Sequence, residues 1–348
     1  MKKNSITFLL QILTGIMFFV LNQTSAAVLV VNNSPNNPGQ YAQIDQAMAA
    51  ANAGDTIYVQ GSAASYNNGT VTKSITLLGP GAFNQTDLHL IANVNSISIN
   101  SNLSDITIRG FYLSSISANY SNQVHNLTIS HCYITSQIGL GSMNNASNFF
   151  IYNNILNGSG SNIEMGATTV ANGNNNFVIQ NNIFHGSIAS SVVTNTVIQN
   201  NIFLGASTAF NNVCSNAIIN NNIFAASDPI TNTSACVFNN NITYNSSSTY
   251  PLLGGTNIDN TNPMFVNVPD YAGFNQNYNY HLQTSSPGHN AGNDGTDIGI
   301  YGGQGFAVTT TGEVFNMPVI RKMDVQNTNV PQNGNVNVKV RSTKSRTN

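Results

Sequence analysis

Tryptophan is absent, cysteine is reduced to three residues, and only 6% of the 348 residues are charged. Each shortage removes a class of function. Cys132, Cys214 and Cys236 are too few and too scattered for a disulfide framework, and their spacing is not that of metal ligands. A formal net charge of −2 gives no field that would recruit nucleic acid or an anionic membrane. Between Lys73 and Arg321 the one Lys or Arg is Arg109, while Arg321, Lys322, Lys339, Arg341, Lys344 and Arg346 gather near the C-terminus. No phosphate-tracking groove runs along such a body, so nucleic acid is not an expected partner. Sparse charge with abundant Asn, Ser, Thr and Gly also fits disorder, but 41% hydrophobic residues in regular β-branched patterns argue for a packed core.

Long apolar runs are missing too, apart from Ile6–Leu21, which follows Lys2 and Lys3 and precedes the small residues Thr24, Ser25, Ala26 and Ala27. This predicts a signal peptide over 1–27 and a secreted protein at the cell surface, outside the cell or in the periplasm. A membrane anchor is the rival reading, but the run is short and no later segment could span a bilayer, so no transmembrane segment is expected after cleavage. No Cys near the cleavage point offers an acceptor for lipid.

What is present in quantity is repetition. FIYNNIL at 150, VIQNNIF at 178 and 197, IINNNIF at 218 and VFNNNIT at 237 follow the weaker copies TIRGFYL at 107 and TISHCYI at 128. Their second residues, Ile108, Ile129, Ile151, Ile179, Ile198, Ile219 and Phe238, are separated by 21, 22, 28, 19, 21 and 19 residues. Strands this short cannot bury a face alone, whereas stacking like strands every roughly 4.8 Å makes one continuous core. The spacing therefore predicts an all-β, right-handed, single-stranded parallel β-helix over 28–305. A β-sandwich would need hairpin signals between alternating strands, and a leucine-rich solenoid would need its Leu pattern and helices.

The two-residue strand period turns the Ile column inward, with Leu127, Phe149 and Phe177 two positions earlier and Leu113, Ile134, Leu156, Phe184, Phe203 and Phe224 five positions later. Asn154, Asn182, Asn201, Asn222 and Asn241 then form a column where a corner would strand backbone groups. A structural amide ladder that tolerates left-handed backbone is favoured there over a sugar-binding row. The same register sends Phe150, Val178, Val197, Ile218 and Val237 outward, an apolar stripe that calls for a cover: the C-terminal tail, an inserted loop or a partner. Beside it runs a polar outward column, Ser130, Tyr152, Gln180, Gln199, Asn220 and Asn239. Uncharged hydrogen-bonding groups beside an aromatic ring suit neutral sugars, and suit plain solvation as well.

At the N-terminal end, the spacing of Ile44, Ala47, Met48 and Ala51 predicts a short helix capping the first coil. At the other end, Gly- and Pro-punctuated segments through residue 303 read as closing coils, and 306–348 as a β-rich appendage or flexible tail. AGDTIYV, SITLLGPG, the NNIF repeats and SSPGHNAG followed by DIGIYGG together resemble secreted right-handed β-helix repeat proteins of the pectin-lyase-like superfamily, over roughly residues 40–303.

That resemblance implies a fold that hosts lyases, hydrolases, epimerases and noncatalytic surface proteins alike. The superfamily's polysaccharide lyases pair acidic calcium ligands with a base; here Asp87, Asp105 and Arg109 are the candidate constellation. Arg109 reads more plainly as a surface residue, because a guanidinium does not readily lose its proton. Its galacturonan hydrolases cluster Asp residues, whereas Glu164 and Asp228 stand isolated in sequence. The six His show no metal spacing, no G-x-S-x-G elbow occurs, and Asp294 and Asp297 fit turn chemistry. No cofactor or metal is expected. Two functions remain: a noncatalytic scaffold or glycan-binding protein, with Tyr152, Gln180 and Gln199 as candidate ligand residues, or an enzyme acting on extracellular polysaccharide.

Overall fold

The computed structural model describes residues 26–35, 38–82, 90–118, 123–140, 146–165, 175–190, 196–205, 208–211, 217–229, 236–246, 252, 255–306, 318–325 and 338–344. The 1–27 segment expected to be a signal peptide lies almost entirely outside the described residues, and Asp87 and Cys214 lie wholly outside them. The fold is an all-β parallel solenoid of about 7 turns, with one helix among the described residues. Its strands form a ten-stranded and a twelve-stranded sheet. In the first, each strand pairs with the equivalent strand one coil away, so Ile179, Ile198 and Ile219 are direct lateral neighbours.

The expected columns are in place. Ile108, Ile129, Ile151, Ile179, Ile198 and Ile219 are fully buried, and Phe184, Phe203 and Phe224 stack behind them at ring separations of 4.7 and 5.0 Å. Each such ring removed from water contributes roughly 1.5–3 kcal/mol, and coil-to-coil identity lets the rings pack face on face.

The paired Asn of each repeat divide their labour. The first, at Asn153, Asn181, Asn200, Asn221 and Asn240, carries the left-handed backbone, with φ between 52° and 56°. The second forms the ladder: the Nδ2 groups of Asn154, Asn182, Asn201 and Asn222 donate at 2.9–3.1 Å to Oδ1 of the next Asn, and the same oxygens accept from the backbone N–H groups. Left-handed backbone therefore belongs to the column before the ladder, not to the ladder itself. The ladder also runs one rung further than the repeats, since Asn257 accepts from Asn241. TNID at 256 is a degenerate copy of NNIF.

Residues 263–306 are not closing coils. Ile258 makes the last parallel bridge, to Ile242, and the chain then turns back across the outside of the solenoid. Phe265–Asn267 pairs antiparallel with Asn279–Leu282. Farther on, Asn240 Nδ2 donates to Ala291 O, Asn221 Nδ2 to Asn293 Oδ1, Asn200 Nδ2 to Gly299 O, and Asn181 Nδ2 to Ile300 O and Gly302 O. This strap steps down the left-handed Asn column coil by coil. It has a reason to be there. The Ile of each Asn-Asn-Ile, at Ile155, Ile183, Ile202, Ile223 and Ile242, faces outward and is buried beneath Phe265, Tyr280, Leu282, Ile298 and Ile300.

The helix Ile44–Ala50 packs Ile44, Ala47 and Met48 against the strands Val28–Val31, Thr56–Val59 and Gly69–Val71. Near the C-terminus, Pro318–Val325 and Val338–Lys344 form an antiparallel hairpin that pairs with no other described strand.

The ladder's weight is measurable. Replacing Asn201 with Ala removes five side-chain hydrogen bonds, whereas Asn257→Ala removes three. With buried amides and carbonyls left unpaired, Asn201→Ala is expected to cost about 3–5 kcal/mol and Asn257→Ala clearly less. Urea midpoints, with hydrogen exchange on the flanking coils, check the order.

Candidate functional site

The strap covers part of the twelve-stranded sheet, whereas the described residues leave the outer face of the ten-stranded sheet partly exposed. The strand period sets three rows on it. The central row, in register across Thr107, Thr128, Phe150, Val178, Val197, Ile218 and Val237, turns from Thr to apolar at residue 150. The apolar stripe expected from sequence is therefore real. The strap does not cover it: Phe150, Ile218 and Val237 remain 43%, 45% and 46% exposed, while Val178 and Val197 are half-buried; of the other covers expected, most of the C-terminal tail and of the loops between coils lies outside the described residues.

On one side lies the polar row Arg109, Ser130, Tyr152, Gln180, Gln199, Asn220 and Asn239. The structure thus aligns Arg109 with Tyr152, Gln180 and Gln199, a connection the sequence reading did not draw. Gln199 Nε2 donates to Gln180 Oε1 at 2.9 Å, and Tyr152 meets the His131 ring edge-on with centroids 5.8 Å apart. Arg109 Nε, Ser130 Oγ and Asn220 Oδ1 are buried without a protein partner.

On the other side lies a row not foreseen. Asp105, Asn126, Asn148 and Asn176 all have positive φ, from 53° to 64°. Asn126 Nδ2 donates to Asp105 Oδ1 at 2.8 Å, Asn148 to Asn126 at 2.9 Å, and Asn176 to Asn148 at 3.0 Å. This second amide ladder lies in the open, in contrast to the buried one. Its signal was in the sequence: Asp or Asn stands three residues before the inward Ile in DITI, NLTI, NFFI and NFVI.

Asp105 therefore sits at the foot of an amide row. Its carboxyl is held below the ordinary Asp range by hydrogen bonds from Ser104 and Asn126. Arg109 is four residues along the same strand, roughly 13 Å at 3.3 Å per residue, and no ion pair joins the two. Asp105 and Arg109 are not brought together, and Asp87 lies outside the described residues. Glu164 projects from the other sheet, in register with Gly139 and Ala189, and Asp228 follows a different coil. Among the described residues no group of three His, Cys, Asp or Glu could hold a metal ion. Asp294 accepts from Thr296, and Asp297 approaches His289 at 2.8 Å, both within the strap. Cys132 is a buried free thiol, pushed up to about 11 by burial, which excludes it as a nucleophile.

No protein-family model and no curated protein matches this chain. Among the described residues no helix is long and apolar enough to cross a membrane.

His131 takes the left-handed position that Asn fills in later coils, with φ 56°. Burial, aided by the Arg109 charge, lowers its pKa from 6.5 to about 3, so the ring is neutral on this face at pH 7. Because the folded value lies below the unfolded one, the unfolded chain binds the extra proton between the two. Stability is therefore complete above about pH 6.5 and declines as pH falls toward 3, by about 5 kcal/mol in total. His131→Asn, which keeps a residue tolerant of left-handed backbone, is expected to flatten this acid limb and raise the melting temperature at pH 5. Thermal unfolding of both proteins from pH 3 to 7 measures it.

Proposed function

We propose that this chain is a secreted, noncatalytic protein of the right-handed β-helix, pectin-lyase-like kind, with the Ile44–Ala50 helix as N-terminal cap, and that the outer face of its ten-stranded sheet binds uncharged extracellular glycan. One observation carries the reading: an apolar row, exposed at Phe150, Ile218 and Val237 and half-buried at Val178 and Val197, runs beside a polar row in register from coil to coil, with an outer amide ladder on its other side at Phe150 and Val178. Sugar rings present apolar C–H faces and a rim of hydroxyls, and this face offers a counterpart to each. Its charges are confined to Asp105 and Arg109 at one end, so the face over residues 150–239 favours a neutral ligand. The candidate constellation for a lyase gives no support to turnover, since Asp105 is engaged by Ser104 and Asn126 rather than by Arg109.

The test is retention on a panel of immobilised neutral polysaccharides, with product analysis on the same panel. The native protein is expected to bind at least one without releasing product, and Tyr152→Ala with Gln199→Ala to weaken binding about tenfold, or 1.4 kcal/mol. Released oligosaccharides would replace the scaffold reading with an enzyme.

A further inference from the structure

Asp55 is the one buried carboxylate among the described residues, 3% exposed, and no described Lys, Arg or His lies within ion-pair distance of it. Two main-chain groups hold it: the Ala27 N–H donates to Oδ1 and the Asn52 N–H to Oδ2, each at 2.7 Å. Lys73 acts on it only from farther off, because the Lys73 ammonium donates to the carbonyls of Ala49 and Ala51 at the end of the helix. A buried charge is ordinarily paired, yet here the position facing Oδ1 is filled by an amide. We infer that a signal peptidase hydrolyses the Ala26–Ala27 bond, and that the α-ammonium freed on Ala27 forms an ion pair with Asp55 that fastens the first strand to the solenoid. This rests on the secretion reading above and adds to it the scissile bond and the fate of the new chain end.

Leader cleavage needs small residues one and three positions before the cut. Ala26 with Thr24 meets this for a cut before Ala27, and Ala27 with Ser25 for a cut before Val28, the boundary expected from sequence. Cleavage precedes folding, so the fold does not choose the bond; it shows which product it is built to use. Ala27 is already engaged: its N–H reaches Asp55, and its carbonyl accepts from the Thr56 N–H at 2.8 Å, just ahead of the paired strand Val28–Val31. A chain begun at Val28 loses both bonds and leaves one oxygen of a buried carboxylate bare. Ala26, by contrast, is exposed, and its removal breaks neither of them. Hydrolysis consumes one water and leaves a carboxylate on Ala26 and an ammonium on Ala27. The neutral donor at Oδ1 thereby becomes a cation, and a charge-assisted hydrogen bond replaces an ordinary one. Ala27 itself is exposed, so this ammonium keeps contact with water on the side away from Asp55.

The test begins with the full chain expressed in a secreting bacterial host, followed by intact mass and N-terminal sequencing of the exported protein. The expected first residue is Ala27; any other start overturns the inference while secretion stands. A chain that keeps its leader and stays inside the cell overturns both. The second measurement is acetylation of the folded product at pH 7, read by mass spectrometry on its N-terminal peptide. An α-amine ordinarily titrates near pH 8, and a carboxylate beside it raises that value. The Ala27 amine is therefore expected to react about tenfold more slowly than in Asp55→Asn, which keeps the shape and removes the charge. Equal rates overturn the ion pair. Should Asp55→Asn fail to fold, a chain begun at Ala26 serves instead, since it carries its amine about 3.8 Å farther along the backbone and is expected to react at the ordinary rate. Slow acetylation of that chain as well would assign the effect to shielding and overturn the ion pair.

Discussion

The hydrogen bond from one Asn amide to the next, repeated along the axis, is the constraint on which the C-terminal half of the solenoid depends. A parallel coil must turn between strands, and each turn leaves backbone groups inside with no strand to receive them. Asn201 shows the solution in one residue: its Nδ2 donates to Ile179 O and Gln199 O as well as to Asn222 Oδ1, while its own Oδ1 accepts from the side chain and main chain of Asn182. No other side chain of that size supplies two donors and a two-fold acceptor in one plane.

Strand length shows what the ladder replaces. Between residues 93 and 139 the five strands are seven residues each, in both sheets, and the ladder position is held by Phe111 and Cys132. From residue 196 to 244 the strands shrink to two, three or four residues. Where main-chain pairing is long it holds the coil alone; where it is short, corner amides take over. Cys132 marks the border, since its backbone N–H donates to Asn154 Oδ1 without a side-chain rung below it. The strap belongs to the same economy, bonding to the left-handed Asn column and burying the outward Ile column over the coils that carry the ladder.

Much of this was legible in the sequence because repetition converts position into neighbourhood: once Ile179, Ile198 and Ile219 are equivalent, their contacts follow. The inward Ile and Phe columns, the Asn ladder and the outward apolar row were all readable in that way. The strap was not. Its partners lie 51 to 121 residues away, and nothing in GHNAGNDGTDIGIYGG announces which column it will bind. Reading Asn-Asn as one functional unit also hid the division between a residue chosen for its φ and a neighbour chosen for its amide. The outer row of Asp105, Asn126, Asn148 and Asn176 was missed although its spacing equals that of the Ile column, because attention to apolar periodicity passes over a polar residue beside it. Asp105 looked catalytic as an isolated carboxylate; its left-handed φ and amide neighbours give it a backbone reason to be acidic or amidic.

Translational repetition acts on both faces of a sheet at once, and this bears on recognition. Inside, a repeated side chain is rewarded by packing, so Phe184, Phe203 and Phe224 need no further reason to be alike. Outside, solvation alone would be met by any polar residue, and the tyrosine, glutamines and asparagines of the polar row satisfy it without needing register. The central row is different, because solvation opposes Phe150, Val178, Val197, Ile218 and Val237, and β-propensity is met equally well by the Thr that fills the same row at 107 and 128. The change from Thr to apolar at residue 150, held through five successive coils, is thus a departure from what the fold alone requires. Stability alone does not account for it, and it favours a ligand that meets the apolar row itself and not the surrounding amides alone.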